Sequence, residues 1–129
     1  MNDALAQLLQ STADALFPGV ADAVVALDSR AEDGDSPLHV LLWRQDVAGA
    51  RALVDAGIDV NAAGDLRDTA LHVAIRLKLA DAAALLLAAG ADPDARNLFD
   101  DTPRLAAYRH GGAVADCFRA AGLDPLPPS

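Results

Sequence analysis

The chain has 129 residues, a formal net charge of −9 and a sequence pI near 4.4. One domain fits this length, and a chain of this size buries roughly two-thirds of its unfolded surface, so neither a disulfide nor a metal is needed to hold it. The acid excess argues against nucleic acid and anionic membranes as partners, because both are gripped through many Lys and Arg contacts; the single cysteine, Cys117, excludes an internal disulfide and a cysteine-built zinc site.

Alanine (30) and leucine (20) supply 50 of the residues, while aromatic residues make up only 4%. Both lose little on entering a helix, so an all-α fold is expected. Nine arginines stand against one lysine; with the abundant alanine this usage leans on GC-rich codons and hints at a bacterial source. No segment approaches the ~20 apolar residues that span a bilayer. Met1-Asn2-Asp3 lacks the basic start of a secretory signal, and with one free cysteine a cytoplasmic location is expected.

In chain order, Leu5, Leu8, Leu9, Leu16 and Phe17 recur at near-helical spacing. Pro18-Gly19 breaks the chain, and Val20, Val24, Val25 and Leu27 predict a second helix. Residues 1–30 therefore read as a degenerate helical cap, with Asp3, Gln7, Gln10 and Asp14 as its polar outer face. A short link, Ser29 to Asp35, leads onward.

A period of 33 residues follows. Ser36-Pro37-Leu38-His39 is answered by Thr69-Ala70-Leu71-His72 and by Thr102-Pro103-Arg104-Leu105. In phase with it, Ala56-Gly57-Ile58-Asp59 is answered by Ala89-Gly90-Ala91-Asp92 and by Ala121-Gly122-Leu123-Asp124. The last two glycines are 32 apart rather than 33, so the third unit lacks one residue, placed between its helices near Gly111-Gly112. Ser36, Thr69 and Thr102 are helix N-cap residues, and Pro37 and Pro103 suit the first helical position. Gly57, Gly90 and Gly122 suit left-handed helix ends. The stretches Gly57 to Asp68 and Gly90 to Asp101 are polar and rich in turn residues, and read as extended fingers.

This pattern resembles the ankyrin repeat over about residues 31–125. The resemblance implies an ankyrin-repeat solenoid of antiparallel helix pairs with extended finger loops. It divides one domain, 1–129, into a cap (1–30), repeats at 31–63, 64–96 and 97–125, and a tail (126–129). Departures are Ala70 for proline, Arg104 for leucine, Leu105 for histidine, and Arg67 and Asp100 where the family favours a turn glycine. Arg104 and Arg119 read as polar substitutions on a C-terminal cap.

The residues carry no catalytic constellation: no phosphate-cradling glycine loop and no nucleophile elbow. His39 and His72 occupy equivalent positions about one helix diameter apart, ~10 Å, too far to share a zinc, and read as structural hydrogen-bonding groups. Cys117 reads as a small buried hydrophobe. Asp59, Asp92 and Asp124 repeat with the unit and read as turn residues rather than calcium ligands. No enzyme activity, cofactor or metal is expected.

The family resemblance implies protein binding through the exposed side of the first helices and through the finger tips. Seven residues past each cap stand Trp43, Arg76 and Arg109, followed by Arg44, Leu77 and His110. The fingers contribute Asp33 and Asp35 beside Glu32, then Asp65, Leu66 and Asp68 beside Ala63. The third adds Phe99 and Asp101 beside Arg96, Leu98 and Asp100. Trp43 and Phe99 read either as interface anchors or as packed side chains, and the arginines either as free or as paired with finger acids. Substituting Trp43 or Arg76 is expected to weaken binding with little loss of stability. The expected partner is another protein, heterologous, bound by a chain that is monomeric alone. The narrower alternative is a bacterial immunity protein or antitoxin that inhibits a basic toxin or enzyme.

Overall fold

The computed structural model describes residues 3–20 and 22–123. Asp124 and the prolines of the tail lie outside the described residues, as do Met1 and Asn2. Eight α-helices follow in order among them: α1 (Asp3–Gln10), α2 (Ala13–Leu16), α3 (Pro37–Trp43), α4 (Val47–Asp55), α5 (Ala70–Arg76), α6 (Ala80–Ala88), α7 (Pro103–His110) and α8 (Gly112–Ala120).

The 33-residue period is a repeat of local chemistry. Ser36, Thr69 and Thr102 hold extended backbone, and each side chain accepts the N–H three residues on, which starts α3, α5 and α7. Gln45, Lys78 and Gly111 then turn the chain with φ of 60°, 58° and 64°. Gly57, Gly90 and Gly122 close the second helices at φ of 96°, 94° and 79°. The missing residue of the third unit falls at Gly111. There α8 begins nine residues after α7, whereas α4 and α6 each begin ten after α3 and α5.

Packing follows the same order. α3 packs on α5 and α5 on α7; α4 packs on α6 and α6 on α8; each pair also packs internally. The two layers close over Leu38, Leu41, Leu42, Leu53, Leu71, Ile75 and Leu86, all essentially buried. Ala50, Ala74, Ala82, Ala83 and Ala107 have no exposed surface and let the helices approach closely. Phe118 of α8 is the largest fully buried side chain and fills the far end.

The cap differs from its sequence expectation. α1 packs on α4 and α2 on α3, so the first helical segment lies on the second-helix layer, the reverse of the units below. No helix forms around Val20–Leu27 among the described residues. Branched side chains at Val20, Val24 and Val25 favour extended backbone, and Asp22 has a left-handed φ of 61°. Gln10 settles the geometry: its amide donates to the Ala23 carbonyl at 2.6 Å and its Oε1 accepts the Val25 N–H at 3.3 Å. The side chain expected as solvent-facing polar cover thus pins an extended segment. In the third unit Arg119 is exposed, and Arg104 folds back onto Asp94 with two contacts of 2.9 and 3.1 Å.

Each finger ends in one tight turn. Ala31, Gly64 and Asn97 donate to the carbonyls of Asp35, Asp68 and Asp101 and accept from Gly34, Arg67 and Asp100. Those last three residues have φ of 99°, 59° and 60°. Only the first is a glycine, so the second and third turns hold residues with a Cβ in left-handed backbone, at about 1 kcal/mol or more each. Arg67→Gly is expected to raise stability by roughly 0.5–1 kcal/mol in urea unfolding, and Gly34→Ala to lower it by at least about 1 kcal/mol. In Gly34→Ala the new Cβ would also sit 3.0 Å from the Ala63 carbonyl. Leu71→Ala, a deletion at the centre of the stack, is expected to cost about 2–5 kcal/mol in the same measurement.

Candidate functional site

The fingers are held against the first-helix layer by two histidines. His39 Nδ1 faces the backbone N–H and the hydroxyl of Ser36 at 3.1 and 2.8 Å, so it accepts. Its Nε2 then carries the proton and donates to the Asp68 carbonyl at 2.8 Å, 29 residues along the chain. His72 repeats this with Thr69 and with the Asp101 carbonyl at 2.9 Å. Each histidine closes the N-terminus of its own helix and fastens the next finger. Leu105 stands at the equivalent position of α7, and no further finger follows it among the described residues.

The fingers also join one another. Asp35 Oδ1 accepts the Asp65 N–H at 2.8 Å, and Leu98 N–H donates to the Leu66 carbonyl at 2.9 Å. Gly64 makes the first contact feasible, since a Cβ there would lie 2.2 Å from Asp35 Oδ1. Asp59 and Asp92 accept the N–H two residues on, at 2.9 Å each, as turn-forming aspartates do.

Between the fingers and the first-helix layer lies a cavity of about 280 Å³ lined by Asp35, Trp43, Asp65, Leu66, Asp68, Val73 and Arg76. Six of these seven, all but Val73, are residues that the sequence register assigns to partner binding. Trp43 is 45% exposed, so its ring is not core. The Arg76 guanidinium stands over that ring, 6.0 Å from its centroid, and donates to Asp68 Oδ2 at 2.6 Å. Asp68 is buried, its side chain 4% exposed, and also accepts from Asn97 Nδ2 at 3.0 Å. A buried carboxylate that loses its cation is left at high cost. Arg76 is therefore a structural partner of Asp68 as well as a groove residue. Replacing Arg76 with Glu would set a second carboxylate against Asp68, contrary to the small stability loss expected from sequence.

Other residues of the stripe diverge. Arg109 clamps Asp101 with both terminal guanidinium nitrogens, Nη1 at 3.0 Å. That pairing holds the Asp101 carboxyl below its ordinary value and raises Arg109 above its own. Arg44 reaches away to the Ser11 carbonyl at 3.1 Å, and Leu77 is half-buried against the core. His110 is exposed at the end of α7, and Asp33 is exposed on the first finger, where it accepts the Asp35 N–H. Phe99, 71% exposed, lies with Leu66 and Leu98 on the fingers as an apolar edge.

Two residues escape the sequence reading. Asn97 is buried and organises the third finger by accepting from Phe99 and Asp101 while donating to Asp68. Its signal is a lone asparagine at the position of Ala31 and Gly64. Tyr108 shares the register of the buried Leu42 and Ile75 but is exposed. Cys117 is half-buried, and burial pushes its thiol up from the ordinary value, away from the reactive thiolate.

The helix pairs, caps and fingers match known proteins. A family model described as ankyrin repeats in three copies matches residues 2–97. Among solved structures, the chain is similar to an ankyrin repeat domain from Acinetobacter baumannii AYE, at 31% identity and a TM-score of 0.70. That likeness covers 78% of this chain and 54% of the other, so the chain spans about half the length of that neighbour. No curated protein matches. The chain belongs to the ankyrin-repeat family, a class of non-catalytic stacks that generally mediate protein–protein interaction. Among the described residues no helix is long and apolar enough to cross a membrane.

The histidine staple has a pH consequence. Burial lowers the His39 pKa below the ordinary 6.5, because the charged ring would lose water and its Nδ1–H would meet the Ser36 donor. The unfolded chain takes up a proton near pH 6.5 while the folded chain does not, so this contribution to stability is complete above that pH. It is lost as pH falls from there through the folded value. Asp101 acts in a separate window, complete above its ordinary 3.8 and lost below it. His39→Gln keeps an acceptor for the cap N–H. In urea unfolding, its loss of stability between pH 7 and 5 is expected to be smaller than in the wild type; an equal loss would place the titration elsewhere.

Proposed function

We propose that the chain is a non-enzymatic binding module that holds a heterologous partner protein between its first-helix layer and its finger tips. The observation that carries this reading is Trp43, the single tryptophan, left 45% exposed in a cavity walled by carboxylates and by Arg76. A large ring in water is poor use of a side chain unless something covers it, and Trp and Arg are the residues that most often anchor interfaces. The apolar finger edge of Leu66, Leu98 and Phe99 extends the same surface. Asp33, Arg109, Asp101 and His110 continue it as a polar rim, and Arg44 and Leu77 border it.

The narrower form of this reading is an immunity-type inhibitor of a basic toxin or enzyme, favoured by three carboxylates against one guanidinium around the cavity. Such a chain would protect cells expressing the target, which a co-expression survival assay reads directly.

The module reading is tested with wild-type and variant chains as bait in the native cell. Trp43→Ala and Phe99→Ala are expected to cost a bound partner ten-fold or more, about 1.4 kcal/mol or more each, with unchanged helical content. Arg51→Ala, on the exposed part of α4, is expected to retain it. Equal recovery by all three would place binding on another face.

A further inference from the structure

We propose that the cavity beside Trp43 receives an arginine side chain of the partner, which pairs with Asp35 and Asp65; this rests on the protein-binding reading above. The molecule states the rule for such a slot twice. In the second unit Asp68 is paired with Arg76, and in the third Asp101 with Arg109, in each case an aspartate and the arginine eight residues on. The first unit has the aspartate, Asp35, but Trp43 stands where the arginine would be.

Asp35 is consequently left without a cation among the described residues. Its Oδ1 accepts the Asp65 N–H at 2.8 Å, which holds it at the cavity wall. The neighbouring Asp65 carboxylate has no pairing cation there either. Asp68 in the same wall is already satisfied by Arg76 and Asn97. The cavity therefore carries an excess of two negative charges, each on a carboxylate with capacity to accept.

The walls select the shape of the cation. A guanidinium pairs with a carboxylate through two parallel hydrogen bonds and stacks on an aromatic face, which a compact ammonium does less well. The Arg76 guanidinium already stands over the Trp43 ring, 6.0 Å from its centroid, at the edge of cation–π range. Leu66, exposed at the cavity edge, offers apolar cover to the methylene stem, as long cationic side chains require. At about 280 Å³ the cavity is sized for one side chain and lies just below the ~300–1,000 Å³ usual for small-molecule sites.

The test uses the full chain and the short peptides acetyl-Gly-Arg-Gly-amide, its lysine counterpart and its glutamate counterpart. Trp43 is the only tryptophan, so its fluorescence reports the site directly. The arginine peptide is expected to give a saturable change, at least three-fold tighter than lysine, with none from glutamate. Asp65→Asn together with Asp35→Asn, which keeps the Oδ1 acceptor, is expected to weaken it about ten-fold. The charge-matched control Asp55→Asn with Asp116→Asn, on the second-helix layer, is expected to change it less than two-fold. Absence of saturation, equal binding of lysine, or equal loss in the control pair overturns the arginine slot. If the slot fails while partner capture still depends on Trp43 and Phe99, the binding-module reading stands without it; if capture is also insensitive to them, that reading falls separately.

Discussion

A neutral imidazole held between two backbone groups is the constraint on which the stack depends. His39 and His72 each accept from the N-terminus of their own helix and donate to the carbonyl of the next finger. Both contacts require one tautomer, so two rings fix the height at which the second and third fingers leave the helical layers. Everything along the groove inherits that height: the seat of Asp68 under Arg76, the reach of Asn97 to Asp68, and the backbone bond between Leu66 and Leu98. A solenoid has no distant contacts to correct a misplaced loop, so alignment must be made locally between neighbours.

Much of this was legible because each unit repeats a sentence of local chemistry. Thr69 and His72 form a capping box whichever unit they belong to, and a shared period puts Trp43, Arg76 and Arg109 on one line. Legibility ends where a residue's partner comes from outside its unit. Gln10 looks like surface until its amide meets Ala23 and Val25, and the valines nearby look helical only if spacing outweighs branching. Arg44 and Leu77 share a register slot but face different neighbours, Ser11 for one and the core for the other. Asp68 resembles every other finger acid, yet Asn97 from the following finger helps bury it. Tyr108 is the reverse case, a core position exposed for want of a neighbour among the described residues.

The charge distribution is finer than a basic groove beside acidic tips. Arg76 and Arg109 are largely spoken for by Asp68 and Asp101, so the groove is an alternation of paired units with one exception at Trp43. Surface pairs of this kind add little stability when both members are in water. The Asp68 pair differs because its carboxylate is buried, which ties the shape of the groove to its charge.

The change from histidine to leucine at position 105 gives the stack a direction. With nearest-neighbour coupling, each unit's local opening depends on the ties it has on both sides. The first two units are stapled to the finger that follows, whereas α7 and α8 carry no such staple among the described residues and are tied back to the preceding unit by packing, by Arg104 on Asp94 and Pro93, and by Cys117 on the Ala80 carbonyl. Amide hydrogens in α7 and α8 should therefore exchange ahead of those in α3 to α6, and the opening should run from that pair toward Trp43. A partner spanning the whole groove would quieten the end that moves most, and part of its binding free energy would go into that ordering.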